Sequence, residues 1–570
     1  MKVEGSKIVL TGIFGILPVF GIVFMGCAAG AEKNKPEQET IMSGRPLISA
    51  EPGGAVYALN SEAETMIVEA ESPDGGEITY QWYKNSEANA GDGSAIAGET
   101  AQVYTPPTDL VGTVYYSVVV TNTREGKTNR ARTALAPIQT LASVPDIPAV
   151  SAVITVNTGT RYQYIAGFGG MSNVWVSPNL TTKDIDTLFS PDALGYNIFR
   201  ICIYPYMDEL FDGTEPYEPA DTAGYTNPPD THKDYYELVK RARSYGTIIL
   251  ASPWTFPAEW KDTGSRGGGG HLLEEYYDDY AYYLRDYVKR MADNGAPIDI
   301  ISVQNEPDID VTYDGSDWPP EAMYNFVKNY IPLIREEIKP VKIMPGESFN
   351  FNRNMYESIL NDPEAVKNID IAGGHIYGGG LTRYDNAIDK GKEVWMTEHL
   401  LNTSGNYDYD STWPAVWAFA KDIHNSMALA HFNAYIWWHA KRFYSMVGDG
   451  SYNTVEGEVL PRGYVMSHYA KYATGKTRVA AAAAGASAAS VYVTAYESDT
   501  DISLVIFNES NTDAGYVRID LPVAVRSANG VKTSEAAGNM RPEIIRLSAD
   551  KKSGTVAVPP AAILSVKFTK

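Results

Sequence analysis

The chain has 570 residues, a formal net charge of −23 and a hydrophobic content of 44%. That length exceeds what one hydrophobic core usually organises, so we expect two or more domains. The acidic composition argues against a nucleic-acid partner, because phosphate binding needs a basic surface. Charged residues make up 21% of the chain, an ordinary value that excludes wholesale disorder.

The N-terminus has the layout of a secretory signal. Two lysines precede an apolar run at residues 8–25, and Gly-Cys follows at Cys27, as in the basic and apolar regions of a signal peptide. The Phe-Met-Gly-Cys ending resembles a bacterial lipobox, which implies a lipid on Cys27. We therefore predict a signal peptide over 1–27, a flexible tether over 28–44, and a location outside the cytoplasm on a membrane. An uncleaved anchor helix is the alternative.

Residues 45–143 alternate short apolar segments with turn residues, which is the pattern of an all-β sandwich. The strands around Trp82 resemble those of bacterial immunoglobulin-like modules, with Trp82 as the core tryptophan. Cys202 is the one cysteine after Cys27, so no intrachain disulfide can form in the mature protein. We expect the module to be a spacer, with carbohydrate binding as the alternative.

From about residue 150, apolar β-branched runs alternate with amphipathic stretches, which favours a (β/α)8 barrel. The predicted strands are 165–168, 198–203, 247–252, 300–304, 341–345, 369–375, 393–397 and 434–438. The predicted helices include 234–245, 273–293, 321–338 and 415–429. The fold class is thus a multi-domain protein: an immunoglobulin-like domain, a barrel over 167–474, and a β-sandwich side domain formed by 475–570 with strands from 150–166.

Two glutamates stand at the C-terminal ends of predicted strands, where barrel enzymes carry their function. Glu306 follows the fourth strand within Asn-Glu-Pro, and Glu398 follows the seventh. The fourth and seventh strands face each other across the mouth of an eight-stranded barrel. Either residue alone could be an ordinary loop carboxylate, but two so placed can flank a glycosidic bond, one as acid/base and one as nucleophile. The pair therefore indicates a retaining glycosidase.

Several motifs resemble glycoside hydrolase family 30 more narrowly. They are IAGFGG at 165–170, SPW at 252–254, QNEPD at 304–308, WMTEH at 395–399 and YIWW at 435–438. The resemblance covers residues 150–570 and implies that Glu306 is the general acid and then base, its proton retained by a raised pKa. It implies that Glu398 stays ionised and is the nucleophile, with carboxyl groups roughly 5–5.5 Å apart.

The same resemblance assigns roles to neighbouring residues. Asn305 would hydrogen-bond the sugar 2-hydroxyl, and Arg200 would hold Glu398 ionised and oriented by a charge-assisted pair. Trp254 and Tyr377 would shape the subsite for the reacting sugar. The family needs no cofactor, and the eight histidines show no ligand spacing, so we predict no catalytic metal.

Residues 435–444 resemble the segment by which bacterial glucuronoxylanases recognise a glucuronic acid branch on xylan. The resemblance implies that Arg442 clamps the branch carboxylate and that Tyr444 assists, with Trp438 and His439 beside them. The match is incomplete, because His439 stands in place of Tyr, and Leu400 and Thr403 stand in place of Tyr and Ser.

We therefore predict a retaining endo-β-1,4-xylanase that is directed by the glucuronic acid branch of glucuronoxylan. A relaxed endoxylanase, a β-1,6-glucanase and a β-glucosidase are the enzyme alternatives. A surface lipoprotein that binds polysaccharide without cleaving it is the alternative from another class. The expected partners are the polysaccharide and, through Cys27, a membrane; the protein is expected to be a monomer.

Overall fold

The computed structural model describes residues 44–88, 93–172, 179–205, 233–401, 412–486, 488–510 and 515–570. The predicted signal peptide with Cys27, nearly all of the tether, and Thr403 lie outside these ranges. Within them, no helix is both long enough and apolar enough to cross a membrane.

The N-terminal module is all-β, as predicted. Its strands are β1 (Leu47–Ala50), β2 (Ala55–Ala58), β3 (Met66–Ile67), β4 (Glu69–Glu71), β5 (Glu77–Asn85), β6 (Ser94–Ala95), β7 (Val103–Tyr104), β8 (Gly112–Arg124), β9 (Lys127–Arg132) and β10 (Ala136–Leu141). The main sheet has the order β2-β10-β8-β5-β6, with β9 on β8; β1 pairs β4, and β3 pairs β7. Trp82 is fully buried in the core of this module beside Val118.

Strand β11 (Val150–Tyr164) leads from this module towards the barrel. The barrel strands are β12 (Gly167–Met171), β13 (Ile198–Ile203), β14 (Ile248–Pro253), β15 (Ile300–Asn305), β16 (Lys342–Ser348), β17 (Ile371–His375), β18 (Glu393–Glu398) and β19 (Ala434–Trp437). Among the described residues these strands form a closed barrel, and each neighbouring pair is parallel. Every residue of β13 and β15 is buried, as expected for parallel strands covered on both faces. The predicted barrel is confirmed.

The described helices are α1 (Thr182–Phe189), α2 (Lys233–Arg243), α3 (Tyr277–Asp293), α4 (Pro320–Asn329), α5 (Ile331–Ile334), α6 (Asn354–Asn361), α7 (Asp385–Asp389), α8 (Trp413–Ala428) and α9 (Pro461–Ala473). The prediction of one helix over 321–338 is wrong, since the structure breaks it between α4 and α5. Pro332 has no backbone N–H and cannot continue the hydrogen-bond ladder of α4. The predicted first barrel strand at 165–168 is also misplaced by about two residues.

The C-terminal strands form the side domain. They are β20 (Thr477–Gly485), β21 (Val491–Glu497), β22 (Asp501–Asn508), β23 (Tyr516–Asp520), β24 (Ser527–Ser534), β25 (Gly538–Glu543), β26 (Arg546–Leu547), β27 (Ser553–Ala557) and β28 (Ala562–Thr569). The sheet order is β25-β24-β28-β22-β21-β20-β11-β23-β27-β26. Strand β11 thus lies inside a sheet otherwise built from the C-terminal segment, which ties the two ends of the barrel together.

Candidate active site

The two glutamates lie at the mouth of the barrel. Glu398 is the last residue of β18, and Glu306 follows the last residue of β15. The backbone N–H of Glu306 donates to the carbonyl of Glu347 at 2.9 Å. Glu306 has φ +45°, a left-handed conformation that costs free energy for a residue with a Cβ and is concentrated at functional sites.

The carboxyl groups of this pair are close. A carboxylate oxygen of Glu306 lies within 4.8 Å of one of Glu398. Retaining glycosidases keep their carboxyl groups roughly 5–5.5 Å apart, whereas inverting enzymes keep them roughly 6.5–9.5 Å apart to admit a water. The separation favours direct attack by a carboxylate.

Arg200 joins the polar groups beneath the mouth. Its side chain is fully buried, and Nη1 donates to Oε2 of Glu398 at 2.7 Å. Nη2 donates to Oδ1 of Asn305 at 2.6 Å and lies 3.1 Å from Oε2 of Glu347. The guanidinium also stacks over the ring of Trp254, 4.8 Å from its centroid. The contact predicted between Arg200 and Glu398 is present, together with a second buried carboxylate that was not predicted to join it.

Both oxygens of Glu398 accept hydrogen bonds. Arg200 occupies Oε2, and the hydroxyl of Tyr377 donates to Oε1 at 2.8 Å. Burial nevertheless raises the pKa of Glu398 above its ordinary value, against the lowering effects of the Arg200 charge and of the hydrogen bond from Tyr377. The two donors, Arg200 and Tyr377, therefore limit a rise in the pKa of Glu398 that desolvation imposes.

Glu306 is surrounded differently. Burial raises its pKa to about 7, reinforced by Asp308 and Glu347 and opposed by Arg200 and a hydrogen bond from Tyr313. Nδ1 of His375 lies 2.9 Å from its Oε1. Burial lowers the pKa of His375 to about 4, so that imidazole is neutral at pH 7 and supplies no positive charge. Glu306 therefore keeps its proton more readily than an exposed glutamate, as predicted.

Glu347 supplies the fixed negative charge of the network. Burial opposes its ionisation, but Arg200 and the hydroxyls of Ser252 and Thr397 lower its pKa below the ordinary value. Nε2 of His375 lies 4.0 Å from its Oε2. One arginine, one carboxylate with a lowered pKa and a neutral histidine thus surround the pair.

A cavity of about 470 Å³ opens above these groups. Its lining residues are Trp254, Glu306, Tyr313, Asp314, Phe349, Tyr377, Glu398, Leu400, Trp438 and His439. The rings of Trp254 and Trp438 lie 5.9 Å apart, and Phe349 stacks on Tyr377 at 5.1 Å. Two carboxyl groups walled by flat aromatic surfaces form a site suited to a sugar ring.

Arg442 and Tyr444 lie outside the lining of this cavity. Nη1 of Arg442 pairs with Oδ2 of Asp449 at 3.4 Å. Burial raises the pKa of Tyr444 to about 12, against the lowering effect of Arg442. His439 does line the cavity, with Nδ1 donating to the carbonyl of Ser172 at 2.8 Å. The predicted branch-binding residues are therefore divided between the cavity and the loop beside it.

Sequence reasoning assigned no role to several residues of the site. Glu347 and His375 stand near the ends of β16 and β17, but nothing in their spacing pointed to Arg200 or Glu306. Tyr313, Asp314 and Phe349 lie on loops and carry no periodic signal. Glu306, His375 and Glu398 are also close enough for a cation, but the guanidinium of Arg200 already neutralises Glu398. The absence of a catalytic metal stays a prediction.

Several known proteins are similar to this chain. No protein-family model matches the chain. Glucuronoxylanase XynC from Bacillus subtilis (strain 168) is 32% identical over 369 residues, which are 63% of this chain and 78% of that protein. Among solved structures, the glycoside hydrolase family 30 subfamily 8 xylanase Xyn30A from Clostridium acetobutylicum is 28% identical to this chain, with a TM-score of 0.62. A GH30 endoxylanase from Clostridium papyrosolvens C71 is 30% identical, with a TM-score of 0.59. Each match covers 73% of this chain and 100% of the other. This chain belongs to glycoside hydrolase family 30 and is one of its glucuronoxylanase-like members.

Proposed function

We propose that this protein is a retaining endo-β-1,4-xylanase that cleaves the main chain of glucuronoxylan. The observation that carries the proposal is the asymmetry of the close carboxyl pair. Glu398 accepts hydrogen bonds on both oxygens, whereas Glu306 has a pKa of about 7 beside a neutral imidazole. Environments that separate two carboxyl groups in this way assign an acid and a nucleophile.

In the first step, Glu306 donates its proton to the glycosidic oxygen while Glu398 attacks the anomeric carbon. The C–O bond to the leaving group breaks, and a covalent glycosyl-enzyme forms on Glu398. Arg200 and Tyr377 hold the attacking carboxylate in place. Glu398 loses its negative charge when it forms the ester and Glu306 gains one when it gives up its proton, so the buried site keeps its net charge and the leaving group departs as a neutral hydroxyl.

In the second step, the ionised Glu306 takes a proton from water, which attacks the anomeric carbon and displaces Glu398. Both residues return to their starting states, and the product keeps the β configuration. Oδ1 of Asn305 is held by Arg200, which directs the Nδ2 donor of that amide to the sugar 2-hydroxyl. Trp254, Trp438 and Tyr377 supply the aromatic walls.

Xylan is favoured over β-glucans because the relatives named above, including one that is 32% identical over most of its length, are xylanases. For the branch, we propose the relaxed alternative in place of the branch-directed cleavage predicted from the sequence: Arg442 can contact the glucuronate carboxylate, but cleavage does not require that contact. Leu400 in the cavity offers no hydrogen bond, and Asp449 already occupies one side of the Arg442 guanidinium.

The decisive experiment is mass analysis of the oligosaccharides released from glucuronoxylan, undecorated xylan and β-1,6-glucan. We expect a ladder of products from both xylans and none from the glucan. The Glu398→Gln variant, folded to the same melting temperature, is the control and should release nothing. Cleavage of the glucan alone would contradict the xylanase proposal, and full activity of Glu398→Gln would contradict the mechanism.

We also propose that Cys27 carries a lipid that anchors a monomeric enzyme to a bacterial membrane. The proposal rests on the N-terminal sequence pattern. The full chain and its Cys27→Ser variant can be expressed in a bacterial host supplied with radiolabelled palmitate, which tests whether Cys27 carries a lipid. The label should be found with the natural chain in the membrane fraction and be absent from the variant. Equal labelling of both would contradict it.

A further inference from the structure

Arg442 lies on the loop between β19 and α9, and its backbone is fixed by that loop. Its N–H donates to the carbonyl of Val447 at 2.9 Å, and its own carbonyl accepts from Ser445 at 3.1 Å. Its side chain is 26% exposed, so part of it faces solvent. The position suits a contact with a charged group carried by a polysaccharide.

The guanidinium of Arg442 already has a carboxylate partner from the same loop. Oδ2 of Asp449 lies 3.4 Å from Nη1 of Arg442, and the Asp449 side chain is only 2% exposed. The other oxygen, Oδ1, accepts from the backbone N–H and the hydroxyl of Ser451, at 3.0 and 2.6 Å. Because both oxygens are held, Asp449 cannot swing away cheaply when a ligand arrives.

A second carboxylate at Arg442 would therefore meet a fixed negative charge. The neighbouring cation, Lys441, does not relieve it, since its Nζ is paired with Asp184 at 3.0 Å and with Glu456 at 3.3 Å. Repulsion from Asp449 then partly cancels the attraction of Arg442 for a ligand carboxylate. Such an arrangement reduces the preference of the site for a chain that carries the charged branch over a linear chain.

We propose that Asp449 is a specificity-determining residue: it occupies Arg442 as an internal substitute for the glucuronate carboxylate and makes cleavage nearly indifferent to the branch. The proposal rests on the proposed xylanase function. It predicts an enzyme that cleaves decorated and linear chains with similar kcat/KM, in which branch dependence is suppressed by one buried carboxylate.

The test compares kcat/KM on a glucuronate-decorated xylo-oligosaccharide with kcat/KM on the linear oligosaccharide of the same length. For the natural enzyme we expect a ratio within about threefold of one. Asp449→Asn should raise the ratio about tenfold, equivalent to ~1.4 kcal/mol, and adding Arg442→Ala should abolish the gain. Glu456→Gln is the matched control, because it removes a charge from the same loop that pairs with Lys441 instead, and its ratio should stay that of the natural enzyme.

Two results would overturn the proposal. One is a ratio of decorated to linear kcat/KM above about 100 in the natural enzyme. This result needs no variant, so it can be obtained even if Asp449→Asn does not fold. The other is an unchanged ratio in an Asp449→Asn enzyme that keeps its activity on the linear substrate. Failure of the xylanase proposal has a different signature, since the natural enzyme would then cleave neither oligosaccharide.

Discussion

Replacement of Arg200 by Met should destabilise the protein strongly and in a pH-dependent way. The guanidinium is fully buried and lies against two buried carboxylates, those of Glu398 at 2.7 Å and Glu347 at 3.1 Å. Removing one member of a buried ion pair costs about 3–5 kcal/mol, because the remaining charge is left uncompensated. Met fills a similar volume, so the loss reports the charge and not a cavity.

The pH dependence has a definite sign. Without Arg200, Glu347 and Glu398 have folded-state pKa values above the unfolded value, near 4.3. The folded variant then binds more protons than its unfolded chain, so the penalty is small below pH 4.3 and grows as pH rises towards the folded-state pKa values. The expected slope is about 1.4 kcal/mol per pH unit for each carboxylate that stays protonated.

Urea unfolding of the natural protein and the variant between pH 5 and pH 8 measures this directly. Arg518→Met is the control, since its pair with Asp520 at 2.8 Å is 45% and 37% exposed and should contribute less than about 1 kcal/mol at any pH in this range. An Arg200→Met loss that is below about 1 kcal/mol, or is the same at pH 5 and pH 8, would refute the description of this network as a buried charge cluster.

The remaining predictions concern activity. Above about pH 7, where Glu306 loses its proton, kcat/KM should fall tenfold per pH unit. Tyr313→Phe removes a hydrogen bond that lowers the pKa of Glu306, so it should move this alkaline limb to higher pH. A limb that stays in place or moves to lower pH would contradict the assignment of Glu306 as the acid. Tyr377→Phe removes one of the two hydrogen-bond donors to Glu398. We expect kcat on linear xylo-oligosaccharides, measured by steady-state kinetics, to fall about 10- to 100-fold. A change in KM alone would contradict the role of Tyr377 in positioning Glu398.

The residues whose roles could be predicted from the sequence are those whose immediate neighbours in the chain indicate the role. Glu306 follows an apolar strand and precedes a proline, and Glu398 ends another strand, so their placement at one end of a barrel follows from the pattern alone. Trp82 was likewise predictable as a core residue of its module. Our prediction of one helix over 321–338 overlooked a local signal of the same kind, because Pro332 cannot continue a helix.

The rest depends on contacts between residues far apart in the chain. The ion pair of Arg200 with Glu347 and the approach of His375 to Glu306 join different strands, and no spacing rule encodes them. The direction of the Glu398 pKa shift depends on how completely the folded barrel excludes water from it. Asp449 lies seven residues beyond Arg442 in an irregular loop, so the sequence alone gave no reason to pair them.

The central claim is that Glu398 is the nucleophile of a retaining xylanase. The most direct measurement is incubation with an activated 2-deoxy-2-fluoro-β-xylobioside, followed by proteolysis and peptide mass analysis. We expect inactivation at one equivalent, with the fluoroxylobiosyl group on Glu398 and no label on Glu398→Gln. A label on another residue, or turnover of the reagent without any covalent adduct, would contradict it.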